Sequence, residues 1–95
     1  MKFTPPPLFM YFVYILKSKV DGNLYVGSTN NLKKRLSEHN HGINKSTRYR
    51  IPLVLVYYEA YITEADARMR EKKLKQFKNS YGELKKRIIN SIDAA

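Results

Sequence analysis

Hydrophobic and polar positions along the chain predict three β-strands. Tyr11 to Lys17 is β-branched and aromatic, and a second short apolar run covers Leu24 to Gly27. The Asp-Gly pair at residues 21–22 lies between them, and this dipeptide is typical of a hairpin turn. Leu53 to Tyr61 is nearly unbroken in its apolar character, which predicts a third strand and favours it as the most buried of the three.

A helical pattern follows the hairpin. Apolar residues recur at helical spacing from about Leu32 to Asn40, and Gly42 is a suitable stop signal. The polar break before this segment offers Thr29 or Asn30 as the N-cap. The segment from residue 43 to residue 50 is polar and basic, and is expected to be a loop.

Two further helices are predicted in the C-terminal third. Thr63 followed by Asp66 resembles a capping pattern, so the second helix is expected to start there and to continue to about Phe77. Residues 79–82 are expected to break the chain. Apolar residues at every fourth position then predict a third helix: Leu84, Ile88 and Ile92.

The element order ββαβαα predicts an α/β (α+β) fold with a small, three-stranded, mainly antiparallel sheet flanked by three helices. We expect residues 1–9 to be a flexible N-terminal extension and residues 10–95 to be a single domain. The apolar run near the N-terminus is too short for a signal peptide and no small-residue cleavage site follows it. No segment is long enough to cross a bilayer.

Charge points to the class of partner. Eighteen Lys and Arg against eight Asp and Glu give a formal charge of +10 and a pI near 9.9, which predicts a nucleic-acid partner. A membrane surface is disfavoured because the basic residues are spread over several elements. The absence of cysteine excludes disulfides and thiolate-bound zinc and is compatible with a cytoplasmic location.

The first helix carries two polar residues beside its docking stripe. On a helical wheel Arg35 and His39 lie one turn apart and share an edge with Leu32 and Leu36. Only together with a similar placement on the second helix does this placement favour a shared functional site. The alternative is that Arg35 lays its stem over the core while His39 caps the helix end.

The second helix places a carboxylate in a similar position. Ala67, Glu71 and Leu74 fit one helical face, so Glu71 is predicted to point inward. A carboxylate there needs a cation, which can be a bound metal or an internal ion pair with Arg35.

Two tyrosines add to this pattern. If the hairpin pairs residues whose numbers sum to 43, Tyr14 and Tyr25 lie on one face of the sheet, and a sum of 39 would place them directly opposite each other. A slip of one residue would separate them. The alternative is that both are core rings with satisfied hydroxyls.

Other basic residues are candidates for contact with phosphates. They lie on the first helix, on the basic loop and on the second helix: Lys33, Lys34, Lys45, Arg48, Arg50, Lys72, Lys73 and Lys75. The alternative for each is ordinary solvated charge. Together they predict nucleic-acid binding that weakens as salt rises.

The motifs, taken in order, resemble the GIY-YIG nuclease superfamily. Phe12-Val13-Tyr14 takes the place of the first triplet and Tyr25-Val26-Gly27 that of the second. The segments that follow are "NNLKKRLSEHN", "KSTRYRIPLVLVYYEAY" and "ARMREKKLKQF". The chain is most similar to the small stand-alone bacterial members, whose domain is similar to the N-terminal nuclease module of the excinuclease C subunit.

The resemblance implies a set of catalytic residues: Tyr14, Tyr25, Arg35, His39 and Glu71. It also implies one Mg²⁺ or Mn²⁺ ion held by Glu71, with Arg35 stabilising charge on the phosphoryl group. The tyrosines and His39 would position or deprotonate the attacking water, and the sequence leaves the base open between tyrosine and histidine. An asparagine that follows the glutamate in many family members has no clear counterpart, with Asn79 and Asn90 as candidates.

The sequence therefore predicts a metal-dependent endonuclease that hydrolyses phosphodiester bonds in DNA, structure-specific or related to DNA repair. A second hypothesis is a nucleic-acid-binding protein on the same fold with little or no hydrolysis. A third is a basic scaffold recruited by a repair or RNA-handling protein partner.

Overall fold

A computed structural model describes residues 9–95, so the predicted N-terminal extension lies outside the described residues except for Phe9, which is exposed. The elements are β1 (Tyr11–Ser18), β2 (Leu24–Thr29), α1 (Leu32–Asn40), β3 (Leu53–Tyr61), α2 (Glu64–Gln76), α3 (Lys78–Arg87) and α4 (Ile89–Ala94). Within this described part, no helix is both long enough and apolar enough to cross a bilayer.

The three strands form one antiparallel sheet in the order β2-β1-β3, which confirms the predicted α+β fold. Helices cover both faces of the central strand β1. One cluster packs Leu16 against the α1 residues Leu32 and Leu36, and the other packs Val13 against the α2 residue Leu74. The four consecutive residues 13–16 are buried because each face of β1 has a helical layer.

The expectation that β3 is the most buried strand is wrong. β3 lies at an edge of the sheet and only Leu53 in it is buried, whereas the most buried strand is β1. Tyr58 in β3 is 54% exposed, and Glu59 in β3 points into the layer beneath α2. An apolar run does not distinguish an edge strand from a central strand because its tyrosines keep one polar end at the surface.

The hairpin fixes which residues face each other. Tyr14 pairs with Gly27, and Leu16 pairs with Tyr25, so paired residue numbers sum to 41 rather than to 43 or 39. The difference from both expected registers is an even number of residues, so Tyr14 and Tyr25 still share a face. Gly22 adopts a positive φ of 72° in the five-residue loop, which explains why glycine occupies this position.

The helix boundaries agree with the sequence up to residue 76 and differ beyond it. The N-cap of α1 is Asn31 rather than Thr29 or Asn30, because Asn31 Oδ1 accepts the backbone N–H of Lys34 at 3.1 Å. Thr63 caps α2 as predicted. The predicted break at residues 79–82 lies inside α3, and the single third helix is two helices separated at Ile88. Gly82 was a misleading signal because a helix interior tolerates glycine at a modest cost.

Candidate active site

Tyr14 packs over a glycine, and its ring occupies the space that a side chain would otherwise fill. It faces Gly27 on the neighbouring strand, and a Cβ atom on Gly27 would overlap the Tyr14 hydroxyl. Glycine at this position therefore allows the phenol to lie flat across β2 with its hydroxyl directed toward α1. The YVG triplet contributes to the site through this space as well as through Tyr25.

A hydrogen-bonded chain runs inward from the first helix. Arg35 Nε donates to the Tyr14 hydroxyl oxygen at 3.4 Å, and that oxygen lies 2.9 Å from His39 Nε2. His39 Nδ1 lies 2.7 Å from Thr47 Oγ1. Every donor finds an acceptor when the Tyr14 O–H donates to Nε2 and the Nδ1–H donates to Thr47. In this arrangement Tyr14 can pass its proton toward a neutral imidazole.

Burial sets the protonation states in this chain. Burial, followed by the positive charge of Arg35, lowers the pKa of His39, so the imidazole is neutral at pH 7. Burial raises the pKa of Tyr14, and the hydrogen bond from Arg35 opposes that increase. The negative charges of Tyr25 and Glu71 when ionised raise the pKa of Tyr14 further. Tyr14 is therefore a phenol in the free protein, and Arg35 is the group that favours its ionised form.

The aromatic rings form an inner and an outer layer. His39 is wholly buried and Tyr14 is 2% exposed, whereas Tyr25 is half-buried and the Arg35 side chain is 34% exposed. The Tyr25 ring stands edge-on to the His39 ring, with centroids 5.1 Å apart, and its centroid is 6.4 Å from that of Tyr14. In this conformation Tyr25 and Arg35 are accessible to a ligand, whereas Tyr14 and His39 lie behind them.

Glu71 lies on the other face of the sheet, beside the edge strand β2. Its Oε1 accepts a hydrogen bond from Ser28 Oγ at 2.7 Å, and its Oε2 accepts one from Lys75 Nζ at 2.7 Å. Burial alone would raise the pKa of Glu71, but these two hydrogen bonds outweigh it and the pKa is lowered. The ion pair between Glu71 and Arg35, the alternative to a metal site, is not formed, and Arg35 faces Glu38 instead, with Nη1 3.6 Å from Oε1.

Two features link the Glu71 side of the sheet to the Arg35 side. Lys75 Nζ, which holds Glu71, lies 5.9 Å from the centroid of the Tyr25 ring. A cleft of about 350 Å³ opens at the end of β2, between the first halves of α1 and α2. Ser28, Lys34 and Arg35 line this cleft, and Glu71 reaches it only through Ser28. The site thus wraps around a free sheet edge.

The donor set at Glu71 suits a hard cation. It consists of a half-buried carboxylate and the Ser28 hydroxyl, both oxygen donors of the kind that Mg²⁺ and Mn²⁺ prefer. Within residues 9–95 no group of three or more His, Cys, Asp or Glu could enclose a metal. An ion here would therefore keep several waters and take phosphate oxygens, as Mg²⁺ commonly does, and Lys75 would have to release Oε2.

The predicted phosphate-contacting residues differ in availability. Arg50 is the least available because its Nε contacts Asp21 Oδ2 at 3.0 Å, and Lys75 is held by Glu71. Lys34 lines the cleft. The others are exposed, and no ion pair involves them among the described residues: Lys33, Lys45, Arg48, Lys72 and Lys73.

Sequence reasoning missed Ser28 and Thr47. The strand alternation after Gly27 places Ser28 on the α2 face, so that signal was available once the register was known. Thr47 lies in an irregular loop without periodicity and carried no signal. The two candidates for the missing asparagine, Asn79 and Asn90, are both exposed in the C-terminal helices and take no part in the contacts described above.

Comparison with known proteins identifies one family and several relatives. The GIY-YIG catalytic domain family matches residues 10–87. A UPF0213 protein of Clostridium perfringens is 48% identical over 68 residues, covering 70% of this chain and 72% of the relative. A UPF0213 protein of Staphylococcus saprophyticus is 41% identical over 68 residues, covering 70% of this chain and 82% of the relative.

The names of these relatives state no activity or substrate. No solved structure matches the chain. The family match covers most of the chain and includes every residue of the Tyr14, Tyr25, Arg35, His39 and Glu71 set. This chain therefore belongs to the GIY-YIG catalytic domain family and has its nuclease-type fold.

Proposed function

We propose that this protein hydrolyses phosphodiester bonds in DNA with one divalent metal ion bound at Glu71. The observation that carries the proposal is the hydrogen-bonded chain from Arg35 through Tyr14 to His39, next to a cleft that Arg35 lines. Lys34 and Arg35 line the α1 side of the cleft beside Glu38, and these two cations suit a phosphate backbone. The family match supports a nucleic-acid substrate.

Arg35 is the candidate for contact with the scissile phosphate. Its guanidinium is partly exposed, lines the cleft and needs only to leave Glu38, a partly exposed partner 3.6 Å away. A planar guanidinium can hold two phosphoryl oxygens and stabilise the charge that grows in the transition state. A divalent ion bound at Glu71 would supply Lewis-acid stabilisation of the phosphate and the leaving oxygen.

Exposure favours Tyr25 over His39 as the base that faces the attacking water. His39 is wholly buried, so water cannot reach either ring nitrogen in this conformation. Tyr25 is half-buried, and its ring centroid lies 5.9 Å from Lys75 Nζ, so water can reach its side of the site, whereas it cannot reach His39. His39 and Thr47 would then hold Tyr14 in place, and Tyr14 would orient Arg35.

A catalytically weak nucleic-acid-binding protein on the same fold is the second candidate. The specific observation that favours it is the Lys75–Glu71 contact, because an ammonium occupies a carboxylate oxygen that a metal would need. In both cases the excess of positive charge predicts binding that weakens with salt, with a slope of about −0.9 per neutralised phosphate on duplex DNA.

Nicking of supercoiled plasmid and of branched DNA in Mg²⁺ or Mn²⁺ separates the two candidates. We expect wild-type protein to cleave and Glu71→Gln and Arg35→Ala to lose at least about 100-fold in rate. Glu83→Gln is the matched control for loss of a carboxylate, since this exposed side chain on α3 lies outside the candidate site and should leave the rate nearly unchanged. Equal cleavage by wild type and both site variants would indicate a contaminating nuclease, and no cleavage by wild type despite DNA binding would favour the second candidate.

A further inference from the structure

The loop between α1 and β3 exposes one aromatic ring to solvent. Tyr49 is 80% exposed, more than any other large hydrophobic side chain among residues 9–95. This ring is not part of the candidate active site. Single exposed apolar residues are common, so exposure alone does not indicate a function. Its surroundings are more informative.

The loop that carries Tyr49 is anchored on both sides of this residue along the chain, at Thr47 and at Arg50. Thr47 is wholly buried with its hydroxyl 2.7 Å from His39 Nδ1. The Arg50 carbonyl accepts a hydrogen bond from Ser18 Oγ at 2.6 Å, and the Arg50 N–H donates to the Thr47 carbonyl at 2.8 Å. These anchors turn the Tyr49 side chain outward on an ordered backbone. Its position is fixed relative to the candidate active site through Thr47.

One face of the Tyr49 ring is covered by a cation. The guanidinium carbon of Arg48 lies 4.9 Å from the ring centroid, within the range of a cation–π contact. Because the side chain remains 80% exposed, the opposite face of the ring is open. The loop that carries the ring is basic, since segment 43–50 contains Lys45, Arg48 and Arg50 and no acidic residue, and of these only Arg50 contacts a carboxylate among the described residues, that of Asp21.

We propose that Tyr49, backed by Arg48, is a stacking platform for an unpaired base of single-stranded DNA or RNA. An aromatic ring with one open face in a basic setting has the composition of known platforms for single strands. Bases inside a duplex are already stacked and do not present a free face, so the platform selects single-stranded or flapped segments. The proposal rests on the proposed function only for the class of partner, a nucleic acid.

Tyr58 shows the difference between this ring and an ordinary exposed tyrosine. It is 54% exposed on β3, where it packs edge-to-face on Phe12 with centroids 5.8 Å apart. No cation–π contact involves Tyr58 among residues 9–95. Tyr58 is therefore a matched control for loss of an exposed tyrosine without loss of a platform.

Binding in EDTA tests the proposal without any cleavage. Fluorescence anisotropy would compare a short single-stranded DNA, the same sequence as RNA and the corresponding duplex DNA. We expect Tyr49→Ala to weaken binding of at least one single strand by about 5- to 100-fold and to leave duplex binding nearly unchanged. Tyr49→Phe should bind like wild type, because the ring is kept. Tyr58→Ala should change neither, and thermal unfolding would confirm that the variants fold.

The outcomes separate this proposal from the proposed hydrolysis. Unchanged single-strand binding in Tyr49→Ala, or an equal loss for single strand and duplex, would overturn the platform and leave hydrolysis standing. Binding by Tyr49→Phe as weak as that of Tyr49→Ala would also overturn the platform, because the hydroxyl and not the ring would then make the contact. A wild type that binds single strands through Tyr49 but never cleaves would overturn hydrolysis and leave the platform standing. A wild type that binds no nucleic acid would overturn both.

Discussion

Two clusters in this domain use the same side chains, tyrosine, arginine and glutamate, for different ends. One lies between β3 and α2, where Glu59 meets Arg70, Tyr57 and Tyr61. The other is the candidate active site around Tyr14, Arg35 and Glu71. The contrast lies in whether the arginine and the carboxylate neutralise each other.

The Glu59 cluster is closed. Arg70 contacts both carboxylate oxygens, with Nε 2.9 Å from Oε1 and Nη2 3.1 Å from Oε2, and the Tyr57 hydroxyl donates to Oε2 at 2.7 Å. The Tyr61 hydroxyl donates to Oε1. Burial would raise the pKa of Glu59, but hydrogen bonds from Arg70 and the two tyrosines outweigh it and the pKa is lowered. Four groups satisfy one another and leave little for a ligand.

The candidate active site is open by comparison. Arg35 and Glu71 lie on opposite faces of the sheet and each has an exposed or half-exposed local partner, Glu38 and Lys75. Such partners contribute little to stability and can exchange for a phosphate or a metal ion. Residue types therefore do not define the site. What distinguishes the candidate active site is that its arginine and its carboxylate are not paired with each other.

The largest expected effect concerns two glutamate variants, one of which should lose stability while the other loses cleavage activity. Glu59→Gln should lower the free energy of unfolding by about 2–3 kcal/mol, because Arg70 would be left without its charge partner at a site where the two side chains are 25% and 17% exposed. Glu71→Gln should change it by less than about 1 kcal/mol, since its partner Lys75 is 48% exposed. Urea denaturation of the two variants beside wild type measures both.

The cleavage rates of the two variants should rank in the opposite order to their stabilities. Glu59→Gln should cleave at the wild-type rate per folded molecule, measured well below its unfolding midpoint. A Glu71→Gln variant that unfolds as readily as Glu59→Gln would contradict the comparison, because Glu71 would then be a structural residue.

A second prediction concerns the space that Gly27 leaves for Tyr14. Gly27→Ala should destabilise the fold by about 1–3 kcal/mol, because the new Cβ would overlap the buried Tyr14 hydroxyl and displace it from His39. Gly82→Ala is the matched control, since nothing lies within 4 Å of its Cβ position and it sits inside α3. That variant should be stabilised by up to about 1 kcal/mol.

Thermal and urea unfolding give the two stabilities, and a crystal or NMR structure of Gly27→Ala would show the ring of Tyr14. Unchanged stability in Gly27→Ala would mean that the phenol can move aside freely and that its hydrogen bond to His39 has little weight.

Local geometry in the candidate site was easier to predict from the sequence than the way its elements pack together. Helical periodicity placed Arg35 and His39 on one edge of α1, and the hairpin parity placed the two tyrosines on one face, because both depend on local geometry. The side of the sheet on which Glu71 lies depends on how α2 packs after β3. No local pattern encodes that packing.

The Glu59 cluster shows the same limit. A single glutamate in the apolar run of β3 is typical of a solvent-facing position. Glu59 is instead paired with Arg70, which lies eleven positions later on α2. The edge position of β3 and the buried role of Thr47 also follow from tertiary contacts alone. Long-range pairing of polar groups was the information missing from the sequence.

The third prediction uses pH to separate the two clusters. The lowered pKa of Glu59 means that its contribution to stability is complete above its ordinary value of 4.5 and is lost as pH falls through the folded pKa. Burial, and then the hydrogen bond to Glu59, raises the pKa of Tyr61 from 10.0 to about 12. The contribution of Tyr61 is therefore complete below pH 10 and is lost as pH rises from 10 toward 12.

Chemical denaturation across pH would reveal both limbs in wild type. The difference between wild type and Glu59→Gln should shrink on the acid side of 4.5 and again on the alkaline side of 10, which cancels the titration of other groups common to both proteins. A difference that stays constant across the whole range would show that Glu59 contributes by packing and not by charge.

The smallest expected effect tests how loosely Lys75 holds Glu71. Lys75→Met should change the free energy of unfolding by less than about 0.5 kcal/mol, because the pair is an i,i+4 contact with a half-exposed ammonium. It should tighten Mn²⁺ binding by about 2- to 5-fold, since the ion no longer competes with an ammonium for Oε2. Isothermal titration with Mn²⁺ measures the affinity, and Lys72→Met on the same helix is the matched control. Weaker Mn²⁺ binding in Lys75→Met would mean that Lys75 orients the carboxylate for the ion. The Lys75–Glu71 contact would then persist in the metal-bound protein, and Glu71 would be less available to a ligand than the comparison with Glu59 requires.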